Sequence, residues 1–471
     1  MDVHLQDLAE MAVKYACKMN VQYCDARAEQ YVANSASIED GSIEYIKTSH
    51  DKGIGIRMLC NNTWGFCSIA SPETFQQVSM HMDMAIKGAM HVAQKNSIRL
   101  AASAPNKARV AFPVHRKPSM QNMLEIARDC DSIIREGKDI VKSTIRPAYH
   151  TSSKYFVSSE GSSILQEFTD VIIHMVATAH GYNKTQSIDV TEGGRGGIEQ
   201  ITQNDIAYNS ADNISSKASQ LLHARQVKEE KTVLVMNSDF VALLTHEILG
   251  HPSEADRVLG REMAWAGGAW WSNKIGQQIG SDALNVFDDP TIPQSLGWYY
   301  FDDEGVKAQR THLVRDGILQ RHLQSRETAE IFNVAPTGNM RASRYAFMPL
   351  IRMACTCIGQ GSYNTDEMLS QIKDGYLISG MKVPSIDMRR YNWSISCQYA
   401  QRIKNGTLTD LHRDVIVTGN APEFLSYIDA CGKESAIRPI TNCGKGDPMQ
   451  SMMMGNGGPA IRGLATIKGI S

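Results

Sequence analysis

The sequence predicts an α+β protein with two domains. The first, residues 1–228, is a mixed α/β domain with an antiparallel sheet, and the second, residues 229–471, is a largely antiparallel, barrel-like β domain that carries a helix with two histidines. Two observations predict this class. Segments of alternating apolar and polar residues are separated by Gly, Asn and Asp turn signals, as is typical of antiparallel strands. Near residue 228 the chain changes from strands mixed with amphipathic helices to short strands and turns.

The N-terminal elements follow from periodicity and punctuation. Residues 25–71 alternate in polarity and break at Asp40-Gly41, Asp51-Lys52-Gly53 and Asn61-Asn62, which predicts an antiparallel meander. Residues 152–184 predict further strands. Helical patterns cover residues 4–20, 73–94, 119–136 and 205–228. The Gly-rich patch at 192–197 lacks the strand-before, helix-after context of a phosphate loop, so it predicts no nucleotide site.

The C-terminal domain opens with the short β-branched strand TVLVM, followed by Asn237-Ser238-Asp239 as candidates for a helix start. An apolar stripe then marks a helix at Val241, Leu244, Ile248 and Leu249, spaced i, i+3, i+7, i+8. The rest of the domain consists of short strand patterns and turns. We therefore expect the helix to be carried by a β domain.

Composition limits the classes of function. The chain of 471 residues is 42% hydrophobic and 21% charged, which suits an ordinary globular protein. Its 48 Lys and Arg against 50 Asp and Glu give a net charge of −2 and predict no nucleic-acid partner. A signal peptide and a membrane-spanning apolar run are not recognisable, so we expect a cytoplasmic protein with reduced cysteines and no membrane partner.

The stretch LTHEILGHPSE carries the candidate chemistry. His246 and His251 flank Glu247 but are five residues apart, which on a straight α-helix places the two imidazoles about 140° from each other. A π-bulge would realign them. Alternatively, the helix ends at Gly250 in a left-handed cap, and Pro252 disfavours α conformation for His251; we favour this second solution. The alternative to a metal site is a pair of structural histidines at a helix end, satisfied by hydrogen bonds.

Catalytic zinc needs three protein ligands, an open position and a nearby carboxylate base. His246 and His251 would supply two ligands and Glu247 the base. The third ligand must come from elsewhere, either Glu254 or a distant thiolate or imidazole. Glu254 would otherwise orient one of the histidines.

Over nearly the whole chain, the sequence resembles the TldD/PmbA family of metallopeptidases, once called modulators of DNA gyrase. The resemblance lies in YCDARAEQ and NTWGFCS in the N-terminal part, and in HEILGHPSEAD, PTGNMRASRYAFMPLIRM and NCGKGDP in the C-terminal part. The H-E-x-x-x-H element makes the chain similar to the TldD type and unlike the PmbA/TldE type, which lacks it.

The resemblance implies a zinc-dependent metallopeptidase with His246, His251 and Cys443 as ligands and Glu247 as base. Cys443 lies in ITNCGKGDP, where Gly444 and Gly446 allow a tight loop to approach the helix. The family also implies a dimer, either a homodimer or a heterodimer with a metal-less TldE/PmbA-type subunit, that encloses the active site.

We therefore expect a peptidase that hydrolyses peptides or unfolded protein segments, in peptide maturation or degradation. The alternative is a non-catalytic regulatory or binding protein. Glu247 favours the enzyme, because a structural zinc site has four protein ligands and needs no base. The polar residues that would polarise a carbonyl or hold a peptide are Arg344, Tyr345, Arg352, His312 and His322.

Overall fold

The computed structural model describes residues 1–92, 97–262 and 268–470. It confirms an α+β protein, with an antiparallel sheet in the N-terminal part and a larger mixed sheet in the C-terminal part. None of the helices in these ranges is long and apolar enough to cross a membrane. The boundary near residue 228 stays a prediction, although the strands of the first sheet end at Arg195 and those of the second begin at Glu230.

The N-terminal sheet contains the predicted meander, but the predicted break at Asp51-Lys52-Gly53 is wrong, because these residues lie inside one long strand that pairs with its neighbour throughout. Its strands are β1 Tyr23–Glu39, β2 Ser42–Cys60, β3 Thr63–Ala70, β4 Lys107–Ala111, β5 Ile140–Ser158, β6 Ser163–Gly181 and β7 Lys184–Arg195. They run in the order β3-β2-β1-β5-β6-β4, with β7 also paired to β6. The pairing of β4 with β6 is parallel and the others are antiparallel. The β1–β2 turn uses positive φ at Asp40 (48°) and Gly41 (86°), as the Asp-Gly signal predicts.

Helices cover this sheet. They are α1 Val3–Lys18, α2 Phe75–His91, α3 Met120–Arg135, α4 Glu199–Thr202 and α5 Ile206–Leu221. The side chains of Thr74 and Ser119 cap α2 and α3, which begin within two residues of the predicted starts. The predicted end of the second helix, at residue 94, lies outside the described residues. The apolar faces of α1 and α2 and of α3 and α5 pack into two separate cores against the sheet.

The C-terminal part is built on one large sheet. Its elements are β8 Glu230–Met236, α6 Ser238–Thr245, α7 Ala255–Val258, β9 Val286–Asp288, β10 Thr311–Arg315, β11 Ile318–Leu319, α8 Arg326–Phe332, β12 Met340–Arg341, β13 Leu350–Ile351, β14 Cys355–Ile358, α9 Thr365–Ser370, β15 Asp374–Ser379, β16 Pro384–Ile386, β17 Asn392–Ser396, β18 Tyr399–Lys404, β19 Thr407–His412, β20 Val415–Asn420, α10 Ala421–Ser426, β21 Ala430–Lys445 and β22 Gln450–Gly469. All these strands belong to this sheet except β12 and β13, which pair with each other.

The large sheet does not close into a barrel within the described part of the chain. Its main path runs β11-β10-β9-β14-β22-β8-β15-β18-β19, so β11 and β19 lie at opposite ends. Two pairings, β14 with β22 and β15 with β8, are parallel, and the rest are antiparallel. The long strand β22 also pairs with β20 and β21. Helix α6 packs on β22 and starts at Asn237, whose side chain accepts a hydrogen bond from Phe240 N at 3.1 Å.

Candidate metal centre

The two motif histidines are brought together by a π-helical turn. Helix α6 continues without interruption into this turn at His246–Gly250, and a 3₁₀ turn follows at His251–Ser253. The amide of His251 donates to His246 O, five residues earlier. Gly250 is right-handed, with φ −67° and ψ −62°. The predicted left-handed end of the helix at Gly250 is therefore wrong, and the π-bulge is the arrangement that the chain adopts.

Gly250 and Pro252 have other reasons to be here. A Cβ on Gly250 would lie 2.5 Å from Met353 Sδ. The absence of a side chain at Gly250 therefore lets the segment just before β14 approach the helix closely. Pro252 has no N–H to donate, which would leave Ile248 O without its helical partner. Trp270 Nε1 donates to that oxygen at 3.3 Å. Both residues resemble stop signals in the sequence but are compatible with a continuing helix.

His246, His251 and Cys443 form a buried cluster. Their potential ligand atoms all lie within 4.8 Å of one another, and each residue is 3% exposed. His251 Nε2 lies 3.4 Å from Cys443 Sγ, and the two imidazole rings are 4.8 Å apart and nearly perpendicular, at 81°. Cys443 belongs to β21, 192 residues beyond His251. The fold thus joins the motif to the distant cysteine.

In each imidazole, the Nδ1 atom lies within hydrogen-bonding distance of a side-chain oxygen, from an amide in one case and a carboxylate in the other. His246 Nδ1 lies 3.0 Å from Asn456 Oδ1, and Asn456 Nδ2 donates to Thr356 O at 3.2 Å, which fixes the orientation of the amide. His251 Nδ1 lies 3.2 Å from Glu254 Oε2. These contacts leave the Nε2 atoms turned to the cluster. Glu254 therefore orients His251 and lies outside the cluster itself.

The charges of the cluster favour a thiolate. Burial opposes ionisation of Cys443, but His246, His251 and Arg352 hold the pKa of this thiol well below its usual range. Burial also disfavours protonation of His246, yet the neighbouring Cys443 sulfur raises its pKa to about 9. Burial lowers the pKa of His251 well below its usual value. A divalent cation would compete with protons for these three donors.

This donor set fits a zinc ion. A thiolate and two imidazoles are the ligand types that zinc prefers, and three protein ligands leave a position open. The carboxylates and amides behind the ligands are the supports usual for metal-bound histidines. The pair of histidines is thus more than a hydrogen-bonded helix end, since Cys443 adds a third donor to it.

Glu247 lies on the same π turn and is 8% exposed. Its Oε2 atom accepts a short hydrogen bond from Arg390 Nη1. Arg390 comes from the loop between β16 and β17, where its backbone has φ 61°. Oε1 has no hydrogen-bond partner among the described residues. A cationic side chain therefore fixes one oxygen of the motif carboxylate and leaves the other free.

The remaining predicted residues lie outside the cluster. Arg352 is fully buried and donates to Cys443 O at 2.6 Å and to Gln450 O, so it fixes the backbone of the β21–β22 hairpin. Tyr345 donates to Asp51 Oδ1 of the N-terminal sheet at 3.0 Å. The others lie as follows: Arg344 stacks 3.1 Å above the Tyr31 ring, His312 lies near Phe287, and His322 packs between Trp271 and Phe332.

Three side chains at this site were not predicted from the sequence. Asn456 holds His246, and Arg390 holds Glu247. Lys445 is fully buried, with its Nζ 3.1 Å from Glu254 Oε2 and 2.7 Å from Asp256. The position of Lys445, two residues after the predicted ligand Cys443, was the one hint in the sequence, because residues two apart in a strand point to the same face of the sheet.

The chain is similar to known proteins over almost its whole length. Residues 229–462 match the model of the PmbA/TldA metallopeptidase C-terminal domain, and residues 24–93 match that of PmbA/TldA metallopeptidase domain 1. A metalloprotease of Methanothermobacter thermautotrophicus is 30% identical over 94% of this chain and 94% of its own length. A zinc metalloprotease TldD homolog of Saccharolobus solfataricus is 24% identical over 96% of this chain and 97% of its own.

The fold is also found in solved structures. The crystal structure of TldE from Thermococcus kodakarensis superposes with a TM-score of 0.79, at 18% identity, over 98% of this chain and 100% of that one. The family models and the curated relatives define the class of this protein as a metallopeptidase. More particularly, the chain belongs to the PmbA/TldD family.

Proposed function

We propose that this metallopeptidase uses zinc, held by His246, His251 and Cys443, and that Glu247 is its general base. The observation that carries the proposal is the convergence of these three buried donors within 4.8 Å, beside the motif glutamate. The name of the Saccharolobus solfataricus relative, a zinc metalloprotease, supports zinc as the metal.

The protein's own residues would supply the base and hold the ligands in place. Zinc, when bound, would supply a Lewis acid that polarises the scissile carbonyl and makes water more acidic. Glu247 would take the proton of the attacking water at Oε1, the oxygen that Arg390 leaves free, and pass it to the leaving amine. Asn456 and Glu254 would keep the imidazoles from turning during this transfer.

The substrates that we propose are peptides and unfolded protein segments. The ligands are 3% exposed, so only a single extended chain, and not a folded surface, would bring a peptide bond to them. Maturation or degradation of peptides is the corresponding role. We propose further that the chain works as a dimer, either with a second copy or with a metal-less TldE-type subunit, to which its fold is similar.

The test is a comparison of the wild type with Glu247→Gln, in zinc content and in cleavage of a library of unstructured peptides. We expect the variant to retain zinc and fold but to lose hydrolysis, because it lacks the base and keeps all three ligands. Zinc is added back before the assay so that loss on purification does not mislead. Substantial turnover by the zinc-loaded variant would exclude Glu247 as the base.

A second comparison separates the enzyme from the regulatory alternative. A test protein is offered in a folded form and in a destabilised, unfolded form of the same sequence. We expect cleavage of the unfolded form alone. Absence of hydrolysis of every peptide and protein by the zinc-loaded wild type would favour the non-catalytic binding protein instead.

A further inference from the structure

A cavity between the two sheets lies near the metal cluster. It has a volume of about 390 Å³, which is within the range of small-ligand sites, roughly 300–1,000 Å³. The N-terminal sheet forms one wall, with Glu29 and Lys154, and the C-terminal domain forms the other, with Asp303, Arg341 and Met452. The cluster residues do not line it.

Arg341 differs from the other cations of this cavity. Lys154 pairs with Asp303 at 3.0 Å, Arg195 with Asp170 at 2.8 Å and Arg344 with Glu29 at 3.8 Å. Within the described residues, no carboxylate lies within 4.0 Å of the Arg341 guanidinium. Its guanidinium contacts a thioether, Met452 Sδ, through Nη2, and the Tyr299 ring, whose centroid is 5.0 Å from Cζ.

Burial makes this arrangement unfavourable without an anion. Arg341 is 8% exposed, and its Nε has no hydrogen-bond partner among the described residues. A buried charge without a counter-charge strongly destabilises a fold, because its hydration is lost and nothing replaces it. A planar guanidinium is matched best by a carboxylate, which accepts two parallel hydrogen bonds. Asp302 also lines the cavity, so its four carboxylates balance its four Lys and Arg side chains; among the described residues, however, Arg341 is the lining cation that has no carboxylate within 4.0 Å, and a ligand carboxylate would fit at this position.

The cavity adjoins the metal cluster through one side chain. Met452 of β22 lies directly opposite Cys443 of β21 in the antiparallel register. Such partners point to the same face of a sheet, with Cβ atoms about 4.5–5.5 Å apart. Met452 also contacts Arg341. A ligand carboxylate bound to the guanidinium would therefore be separated from the candidate metal ligand Cys443 by the Met452 side chain.

We propose that this cavity is a carboxylate subsite for the substrate, with Arg341 as the group that binds the anion. The proposal rests on the proposed peptidase function and names the substrate class as carboxylate-bearing peptides. The carboxylate comes from the C-terminus of the peptide or from an acidic side chain. Both present the same group to Arg341.

The experiment measures peptide binding to zinc-loaded Glu247→Gln protein by fluorescence anisotropy. One unstructured peptide is made as the free acid, as the C-terminal amide, and with its single internal Glu replaced by Gln. We expect one carboxylate to strengthen binding at least about tenfold, the effect of one charge-assisted contact. A penalty for the amide identifies the C-terminus, and a penalty for the Gln peptide identifies the side chain. Equal affinities for all three peptides would overturn the proposal.

Two variants in the same background assign the effect to Arg341. Arg341→Met should abolish the discrimination, whereas Arg321→Met, which removes an exposed arginine of the same domain, should retain it. Discrimination that survives Arg341→Met would overturn the proposal. The Arg341 proposal is tested by binding, which stays measurable even if Glu247→Gln still hydrolyses peptides slowly. Residual hydrolysis would contradict the role of Glu247 as base and leave the binding result unaffected.

The thermal stability of the ligand-free protein gives an independent readout. If Arg341 is kept for a ligand, its replacement by Met removes an unpaired buried charge, and the melting temperature should stay equal or rise. A melting temperature below that of the wild type would identify Arg341 as a structural group and overturn the proposal.

Discussion

Replacement of Asn456 by Ala should weaken zinc binding although Asn456 is not a ligand. The side chain is fully buried, and its Oδ1 lies 3.0 Å from His246 Nδ1. Without it the imidazole loses the acceptor that fixes its tautomer and ring plane. Loss of such a support lowers metal affinity about 10–100-fold, which corresponds to about 1.4–2.7 kcal/mol.

The same change should also lower the stability of the metal-free fold. Two buried groups lose their partner, His246 Nδ1 and Thr356 O. Each unsatisfied buried group costs about 1–3 kcal/mol, so the free energy of unfolding should fall by about 2–6 kcal/mol. Entry of a water into the vacated space would bring the loss to the lower end of this range.

The assay is zinc competition against a chelator of known affinity, with urea unfolding in parallel. Asn456→Asp is the matched control, because it has nearly the same shape and keeps the acceptor oxygen for His246 while it loses the donor to Thr356. We expect Asp to retain far more zinc affinity than Ala. Equal loss in both variants would show that Asn456 acts through packing and would refute the orienting role.

Three further predictions concern the ligands, the π turn and assembly. Cys443→Ala should lose zinc and activity, whereas Glu254→Ala should lower zinc affinity about 10–100-fold without abolishing it, as measured by metal analysis and chelator competition; the opposite order would exchange the two roles. Gly250→Ala should lower the free energy of unfolding by about 1–3 kcal/mol, since its Cβ would lie 2.5 Å from Met353 Sδ. Met353→Ala should recover part of this loss, and Gly88→Ala in α2, where a Cβ meets no atom within 4 Å, should not destabilise. Light scattering at micromolar concentration should give the mass of two chains; a fully active single chain would contradict the need for a partner.

Local patterns in the sequence predicted those features that depend on neighbours along the chain. Alternation and the Asp40-Gly41 turn were sufficient for the meander, and the two histidines identified their helix. The cysteine was predicted from the family resemblance alone. The open form of the large sheet was not predicted, because closure depends on whether β11 and β19 meet, and no local pattern encodes that.

The wrong prediction at Gly250 has a tertiary cause. Gly and Pro are usual helix terminators, but here the space that glycine leaves is filled by Met353, and the carbonyl that Pro252 cannot satisfy is satisfied by Trp270. Both partners are distant in sequence. Asn456, 210 residues from His246, escaped detection for the same reason.

The centre joins parts of the chain that are synthesised at different times, because β22 lies between β8 and β14 in the sheet but follows both in the sequence. Asn456 leaves the ribosome 210 residues after His246. At about 5–20 residues per second, that interval is about 10–40 s. During this time the histidine-bearing helix has neither its thiolate nor its amide support. A nascent or prematurely terminated chain without the β21–β22 hairpin therefore has the two histidines but neither Cys443 nor Asn456, and only a chain that contains this hairpin brings all four side chains together.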